Sequence, residues 1–137
     1  MLILDVVTPT KKILSSVKAR SVTVPGASGE MTILPGHAAL ISCLDTGILR
    51  YEAENGQERR SAALSTGFVE VAEDRIVVMA ETLEMAHQID IERAKKAQKK
   101  AEDKLKEKDV DPDSFNKYQL KLQRALIRQQ VALELGK

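Results

Sequence analysis

Tryptophan is absent from this 137-residue chain, and two phenylalanines and two tyrosines supply all its aromatic side chains. Any core must therefore be built from Val, Ile, Leu and Ala. A single cysteine, Cys43, excludes an internal disulfide and fits a reducing compartment. In its apolar strand context it reads as a small buried hydrophobe. The only histidines, His37 and His87, stand 50 residues apart with no cysteine pair near either, so no metal site is expected. No apolar run approaches the roughly 18 residues of a membrane span. The N-terminus, MLILDVVTPTKK, has no basic region ahead of its brief apolar stretch, so no signal peptide is expected. A soluble, cytosolic protein is the expectation. Nucleotide-hydrolase, zinc-protease and serine-hydrolase motifs are missing, and no catalytic residue can be nominated. A formal net charge of +1 argues against a generic binder of polyanions.

What is present is divided by a seam near residue 88. Up to that point the chain carries 8 basic and 11 acidic residues; beyond it, 13 basic and 9 acidic in a much shorter segment. Every glycine but Gly136, and every proline but Pro112, precedes the seam. Before it, short apolar runs alternate with turn signals. LILDVVT (2–8), ILSSVKA (13–19), RSVTVP (20–25), MTIL (31–34), ISCLD (41–45), ILRYEA (48–53), ERRSAAL (58–64), FVEVA (68–72) and RIVVMA (75–80) read as strands. Asn55-Gly56 is the strongest hairpin signal. Eight to ten strands at this spacing predict an antiparallel β-sandwich or flattened barrel.

After the seam the period changes. Ala94, Ala97, Ala101 and Leu105 recur at helical spacing, as do Phe115, Tyr118, Leu122, Leu126 and Leu133. Asp109 to Asp113 breaks the pattern, with Asp111 placed to cap a helix that begins at Pro112. The expectation is an α+β protein with a sandwich over residues 1–86 and an antiparallel two-helix hairpin over 87–137. An alanine face buries little area, so that hairpin should dock weakly.

The second helix carries a basic stripe, Lys117, Lys121, Arg124 and Arg128, stepping by 4, 3 and 4. A solvated face, an acidic protein partner and a phosphate-bearing ligand all fit it. Nucleic acid fits less well, since no aromatics interleave with the basic positions. Arg93 is odder. Ile89-Asp90-Ile91-Glu92-Arg93-Ala94 starts a helix capped by Asp90, and a cation three residues past the cap faces the positive end of the helix dipole. If the helices pack antiparallel, Arg93 approaches Arg124 and Arg128 beside free backbone N–H groups, a composition suited to phosphate. His37, after Pro35-Gly36, reads either as a turn residue satisfied by backbone or as part of a contact surface.

The stretch VPGASGEMTILPGHAAL (24–40), with TGILR (46–50), STGFVEV (65–71) and the alanine-rich hairpin, resembles the epsilon subunit family of rotary F-type ATP synthases over essentially the whole chain. The resemblance implies a non-catalytic subunit of the central stalk, beside the gamma subunit and the ring of c subunits. Ser28, Glu30 and His37 match the region of the c-ring contact. It implies a mobile hairpin that extends toward the alpha/beta hexamer and inhibits ATP hydrolysis, with Lys117 and Lys121 in the stripe that would meet acidic beta-subunit residues. Several family members bind ATP through an [IL]-D-x-x-R-A motif. That motif stands here as Ile89, Asp90, Arg93 and Ala94, and Glu84, Arg124 and Arg128 align with further nucleotide contacts. Lys100 stands where the family can hold arginine, keeping charge but losing planar, bidentate contact. ATP is thus implied as a regulatory ligand, with no cofactor required. No insertion into the bilayer is implied: the place would be peripheral, on the cytoplasmic face of a bacterial inner membrane or the stromal face of a thylakoid. A stand-alone nucleotide sensor is the alternative. It predicts a monomer without a large exposed apolar patch. A small hydrolase would need a nucleophile the sequence does not offer.

Overall fold

Leu2, Leu4 and Val6 alternate along the first apolar run and are all fully buried, the period-2 pattern of a strand with one face in a core. In the computed structural model, which describes residues 1–134, that run is β1 (Leu2–Val7). It is followed by β2 (Lys12–Gly26), β3 (Gly29–Ile33), β4 (Leu40–Leu44), β5 (Gly47–Ala53), β6 (Arg59–Leu64), β7 (Gly67–Ala72), β8 (Arg75–Ala80) and β9 (Leu83–Met85). A single 3-10 turn at Ala86–Gln88 leads into α1 (Ile91–Leu105) and α2 (Pro112–Glu134). The last three residues of the helical segment expected over 87–137 lie outside the described residues.

Hydrogen bonding runs β1-β8-β7-β4-β2, and β1 also pairs with β2, so these five strands close a ring. Beyond that ring β2 carries β3 on its own and β5-β6-β9 in succession. Among the described residues every pairing is antiparallel except β1 with β8, where Leu4 lies opposite Ile76 in parallel register. Leu2, Leu4, Ile33, Leu49, Leu64 and Ile76, all buried, fill the interior from both sides of this flattened barrel.

One detail of the strands differs from the sequence expectation. ILSSVKA and RSVTVP are one strand, β2, interrupted by a bulge rather than a turn. Ser16 adopts φ 51°, the pairing with β1 shifts register there, and the Asp5 carboxylate accepts the Ser16 N–H at 2.9 Å. A side chain thus replaces the lost ladder partner. Asn55-Gly56 does join β5 to β6 in a hairpin, through a five-residue loop closed by Ala53 N–H to Glu58 O. A tighter one joins β7 to β8 at Glu73-Asp74, both with positive φ (50° and 62°), the signature of a two-residue type I′ turn. The short β9 was beyond the reach of periodicity, since three residues cannot establish an alternation.

The helical segment follows its capping chemistry. Asp90 accepts the Arg93 N–H at 3.1 Å and Asp111 the Ser114 N–H at 2.8 Å, each satisfying an orphan donor of a first turn. The Ser114 hydrogen bond also lowers the pKa of Asp111. Ala94, Ala101 and Ala125 are almost fully buried, so the two helices approach closely, and Gln129 bonds Gln98 across them at 2.6 Å. Helix α2 is the one that lies on the sandwich, over β5, β6 and the 3-10 turn.

Candidate functional site

The outward face of β5 and β6 receives the hairpin. Along β5, Ile48, Arg50 and Glu52 point away from the core; their partners across the ladder are Ala63, Ser61 and Arg59 of β6. Ile48 and Ala63 join Ala86 and Val131 in a small apolar cluster, with Ile89 and Ile127 against it. Four buried side chains there compare with eighteen in the main core, so the hairpin rests on a thin apolar contact. Polar contacts supply the rest. Arg50 grips Glu134, at the end of α2, through Nη2 at 2.6 Å and Nε at 3.4 Å, and Ser61 Oγ donates to the same carboxylate at 2.6 Å. That hydrogen bond pushes the pKa of Arg50 above its usual value. Arg50 also lies 3.7 Å from Glu30.

Nearer the middle of α2, Arg128 Nε meets Glu84 Oε1 of β9 at 2.6 Å. These two, with Thr46, Ser65, Thr82 and Arg124, line a cleft between helix and sandwich. It holds only about 10 Å³ of free space, no more than one water molecule occupies. Two of its polar atoms, Thr46 Oγ1 and Arg124 Nε, are buried with no hydrogen-bond partner among the described residues. Such an orphaned guanidinium nitrogen is costly unless something anionic or a water meets it.

Of the residues the sequence nominated for a nucleotide, Glu84, Arg124 and Arg128 come together here. Ile89 packs on the apolar cluster and Ala94 is buried between the helices. Asp90, Arg93 and Lys100 are exposed and do not line the cleft. Among the described residues the side chain of Arg93 makes no hydrogen bond or ion pair; only its backbone N–H is engaged, by Asp90. The basic stripe divides. Arg124 and Arg128 turn toward the sandwich, while Lys117 and Lys121 are exposed and flank the Tyr118 ring at 5.8 and 5.4 Å.

Ser28, Glu30 and His37 are all exposed. Ser28 lies in the turn before β3, Glu30 on β3 itself, and His37 in the loop that follows it. The His37 backbone N–H bonds Leu34 O and its ring Nδ1 lies 2.7 Å from Ala38 O, while Gly36 N–H is held by Asp74 Oδ1 at 2.7 Å.

A second surface went unnominated. Val7, Met79, Phe68 and Cys43 sit directly across from one another on β1, β8, β7 and β4, one apolar row on the outer face of the ring. Ile41, 73% exposed, continues it, and Phe68 is 51% exposed. A groove of about 690 Å³ runs along the row. Cys43 is therefore exposed, contrary to the buried position its apolar strand suggested. In β4 it is Leu40, Ser42 and Leu44 that turn inward, so the polar residue is the more enclosed one and the thiol faces out. The signal was legible in FVEVA: Val69 and Val71 are the inward pair, which leaves Phe68 at a position that should be polar. Gly67 begins that strand because a Cβ there would collide with the backbone oxygen of Met79.

Among the described residues no group of His, Cys, Asp or Glu could hold a metal ion, and no helix is long and apolar enough to cross a membrane.

Comparison with known proteins gives a consistent picture. The family model described as ATP synthase, Delta/Epsilon chain, beta-sandwich domain, matches residues 1–86; the one described as its long alpha-helix domain matches 87–132. The ATP synthase epsilon chain of Trichlorobacter lovleyi is 43% identical over 129 residues, which is 94% of this chain and 91% of that one. The epsilon chain of Geobacter sulfurreducens is 44% identical over 128 residues, 93% of this chain and 91% of that one. Among solved structures, a chain in the cryo-EM structure of Euglena gracilis mitochondrial ATP synthase, OSCP/F1/c-ring, superposes with a TM-score of 0.83 at 25% identity, covering 96% of this chain and 81% of that one. A chain of the Tetrahymena thermophila mitochondrial ATP synthase central stalk/c-ring shares the fold, with a TM-score of 0.59 at 13% identity over 96% of each chain.

Proposed function

The chain belongs to the delta/epsilon family of ATP synthase subunits, and from that membership we propose that it is the epsilon subunit on the central stalk of a proton-translocating F-type enzyme. It does no bond chemistry. The sandwich, residues 1–86, anchors it to the gamma subunit and the ring of c subunits, with Ser28, Glu30 and His37 on the loops toward the ring. The hairpin, residues 87–137, is the regulatory part. When it leaves the sandwich it extends beside gamma and slows ATP hydrolysis by the alpha/beta hexamer, with Lys117 and Lys121 meeting acidic beta-subunit side chains. The assembly places it at a membrane surface, cytoplasmic in a bacterium or stromal in a thylakoid, without insertion.

The observation that carries this reading is the exposed apolar row of Val7, Met79, Phe68, Cys43 and Ile41. A monomer would not leave such a surface in water unless a partner covers it, and a stand-alone sensor has no use for it. The solved relatives support the same reading, since the Euglena gracilis chain belongs to an assembly of F1 and c-ring.

ATP is the proposed ligand of the docked hairpin. Its phosphates would meet Arg124, whose Nε lacks a partner among the described residues, and Arg128; Glu84, Ile89, Asp90, Arg93, Ala94 and Lys100 would supply the surroundings. The cleft is too small as it stands, so binding would separate Arg128 from Glu84 and widen it. A ligand that prefers the docked state shifts the hairpin toward it, by about 2.7 kcal/mol at 100 times its Kd.

Cys43 provides the test, since it is the chain's only thiol and lies in the apolar row. Maleimide should modify it readily in the isolated chain and at least tenfold more slowly once gamma is bound. Equal rates with and without gamma would remove the row as the anchoring surface.

A further inference from the structure

Glu134 ends α2, yet its carboxylate is held as a ligand would be. Arg50 presents two guanidinium nitrogens to it and Ser61 adds a hydroxyl, both from neighbouring strands of the sandwich. Arg50 and Ser61 are also directly cross-strand partners, so the receiving geometry belongs to the sheet and does not depend on the helix. The same two residues line a further space of about 180 Å³, together with Thr23 and Arg59. Arg59 has no ion-pair partner among the described residues. Two carboxylates are near: Glu52, across the ladder from Arg59 and lining the same space, lies 4.0 Å from Arg20, and Glu30 lies 3.7 Å from Arg50 itself.

We infer that Arg50, Ser61, Arg59 and Thr23 form an oxyanion site on the sandwich, which the docked hairpin fills with Glu134 and which takes inorganic phosphate when Glu134 is gone. A planar carboxylate offers two oxygens, and Arg50 with Ser61 uses both. Phosphate offers four, and the Arg59 guanidinium, with the Thr23 hydroxyl once it turns from Thr32 at 3.1 Å, supplies donors that Glu134 does not use. Phosphate and the hairpin's end then compete for one place. Because a ligand that binds only the released state shifts the balance toward it, phosphate would favour release, the direction opposite to that proposed for ATP.

That last consequence rests on the mobile hairpin proposed above; the site itself does not, because Glu134→Ala empties it whether or not the helix moves. The experiment is a phosphate titration of the full-length chain, followed by the side-chain N–H resonances of its arginines. Chloride replaces phosphate at equal ionic strength in the control. Glu134→Ala should bind phosphate at least tenfold more tightly than the wild type, with shifts at Arg50 and Arg59. Adding Arg50→Ala to that variant should abolish the shift at Arg59. The inference is overturned if Glu134→Ala shows no shift, if it matches the wild type, or if chloride reproduces the effect. A separate distance measurement between Cys43 and a label at the hairpin tip judges hairpin release. A bound phosphate with an unchanged distance would refute the mobile hairpin and leave the site standing.

Discussion

Glu84 Oε1 and Arg128 Nε stand 2.6 Å apart and join β9 to α2. Each is a residue proposed above to meet a nucleotide, and here they satisfy each other. Both are about one-third exposed, so their mutual attraction is modest, of the order of 0.2–1 kcal/mol for a pair of this kind. A multiply charged phosphate group can displace a partner held that weakly.

Arg128→Ala should therefore weaken ATP binding to the isolated chain by about 1.5–3 kcal/mol, the range for a hydrogen bond to a charged group. Arg93→Ala should have the smaller effect, because Arg93 is exposed and outside the cleft. Calorimetry at millimolar ATP measures both. If Arg93→Ala proves the more damaging, the phosphates lie at the start of α1 and the cleft is not their place.

Lys117 and Lys121 are exposed beside the Tyr118 ring, and neither makes an ion pair among the described residues. Replacing both with alanine should raise ATP hydrolysis by the assembled enzyme about threefold, since each exposed pair contributes about 0.2–1 kcal/mol. Raising the salt concentration should mimic the change, because such charges are screened over roughly 8–10 Å. Unaltered hydrolysis returns these two lysines to the role of a solvated face.

A chain ending at residue 86 should fold by itself. The eighteen buried side chains of the main core all come from residues 2 to 85, and the helices contribute none. Far-UV circular dichroism should show a cooperative thermal transition within a few degrees of that of the full chain, and the shortened chain should still bind gamma. A non-cooperative melt would mean that the hairpin is part of the folding unit.

Asp5 supplies an acid-dependent contribution. The Ser16 N–H, with Lys12 and Arg75 nearby, lowers its pKa below the usual 3.8 despite the opposing effect of burial. A lowered carboxylate pKa gives stability that is fully present above the unfolded value and is lost as pH falls through the folded one. Asp5→Asn should lower stability at pH 7 by about 1–3 kcal/mol, through the charged hydrogen bond at the Ser16 bulge. Denaturant melts of the two proteins should converge as the pH drops toward 2. A constant difference down to that pH would show that the carboxylate's charge is irrelevant.

Much of this architecture could be read from residue order. Asp90 and Asp111-Pro112 announce the two helix starts because capping is chemistry between neighbours. Strand alternation separates Val69 and Val71 from Phe68 in the same way. The bulge at Ser16 was hidden, since its partner Asp5 lies eleven residues back and only pairing between β1 and β2 brings them together. Arg50 and Glu134 were hidden more completely. They are 84 residues apart, each is an ordinary charged residue in its own element, and nothing local marks either as the other's partner. The cleft residues Arg124 and Arg128 were legible as a stripe, but which pair of the stripe turns inward depends on where α2 lands on β5 and β6.

The hairpin covers the outer face of β5 and β6, while the Val7–Met79–Phe68–Cys43 row occupies the outer face of β1, β8, β7 and β4, with the barrel's closed interior between them. Among the described residues no side chain of the apolar row belongs to the cluster under the hairpin. Their free energies should accordingly be independent: substitutions in the row and substitutions at the hairpin contact should add without a cross term, as expected for distant sites with no common partner. A subunit built this way can stay fastened through every change of its regulatory arm, so its attachment and its signal are free to be tuned separately, one residue at a time.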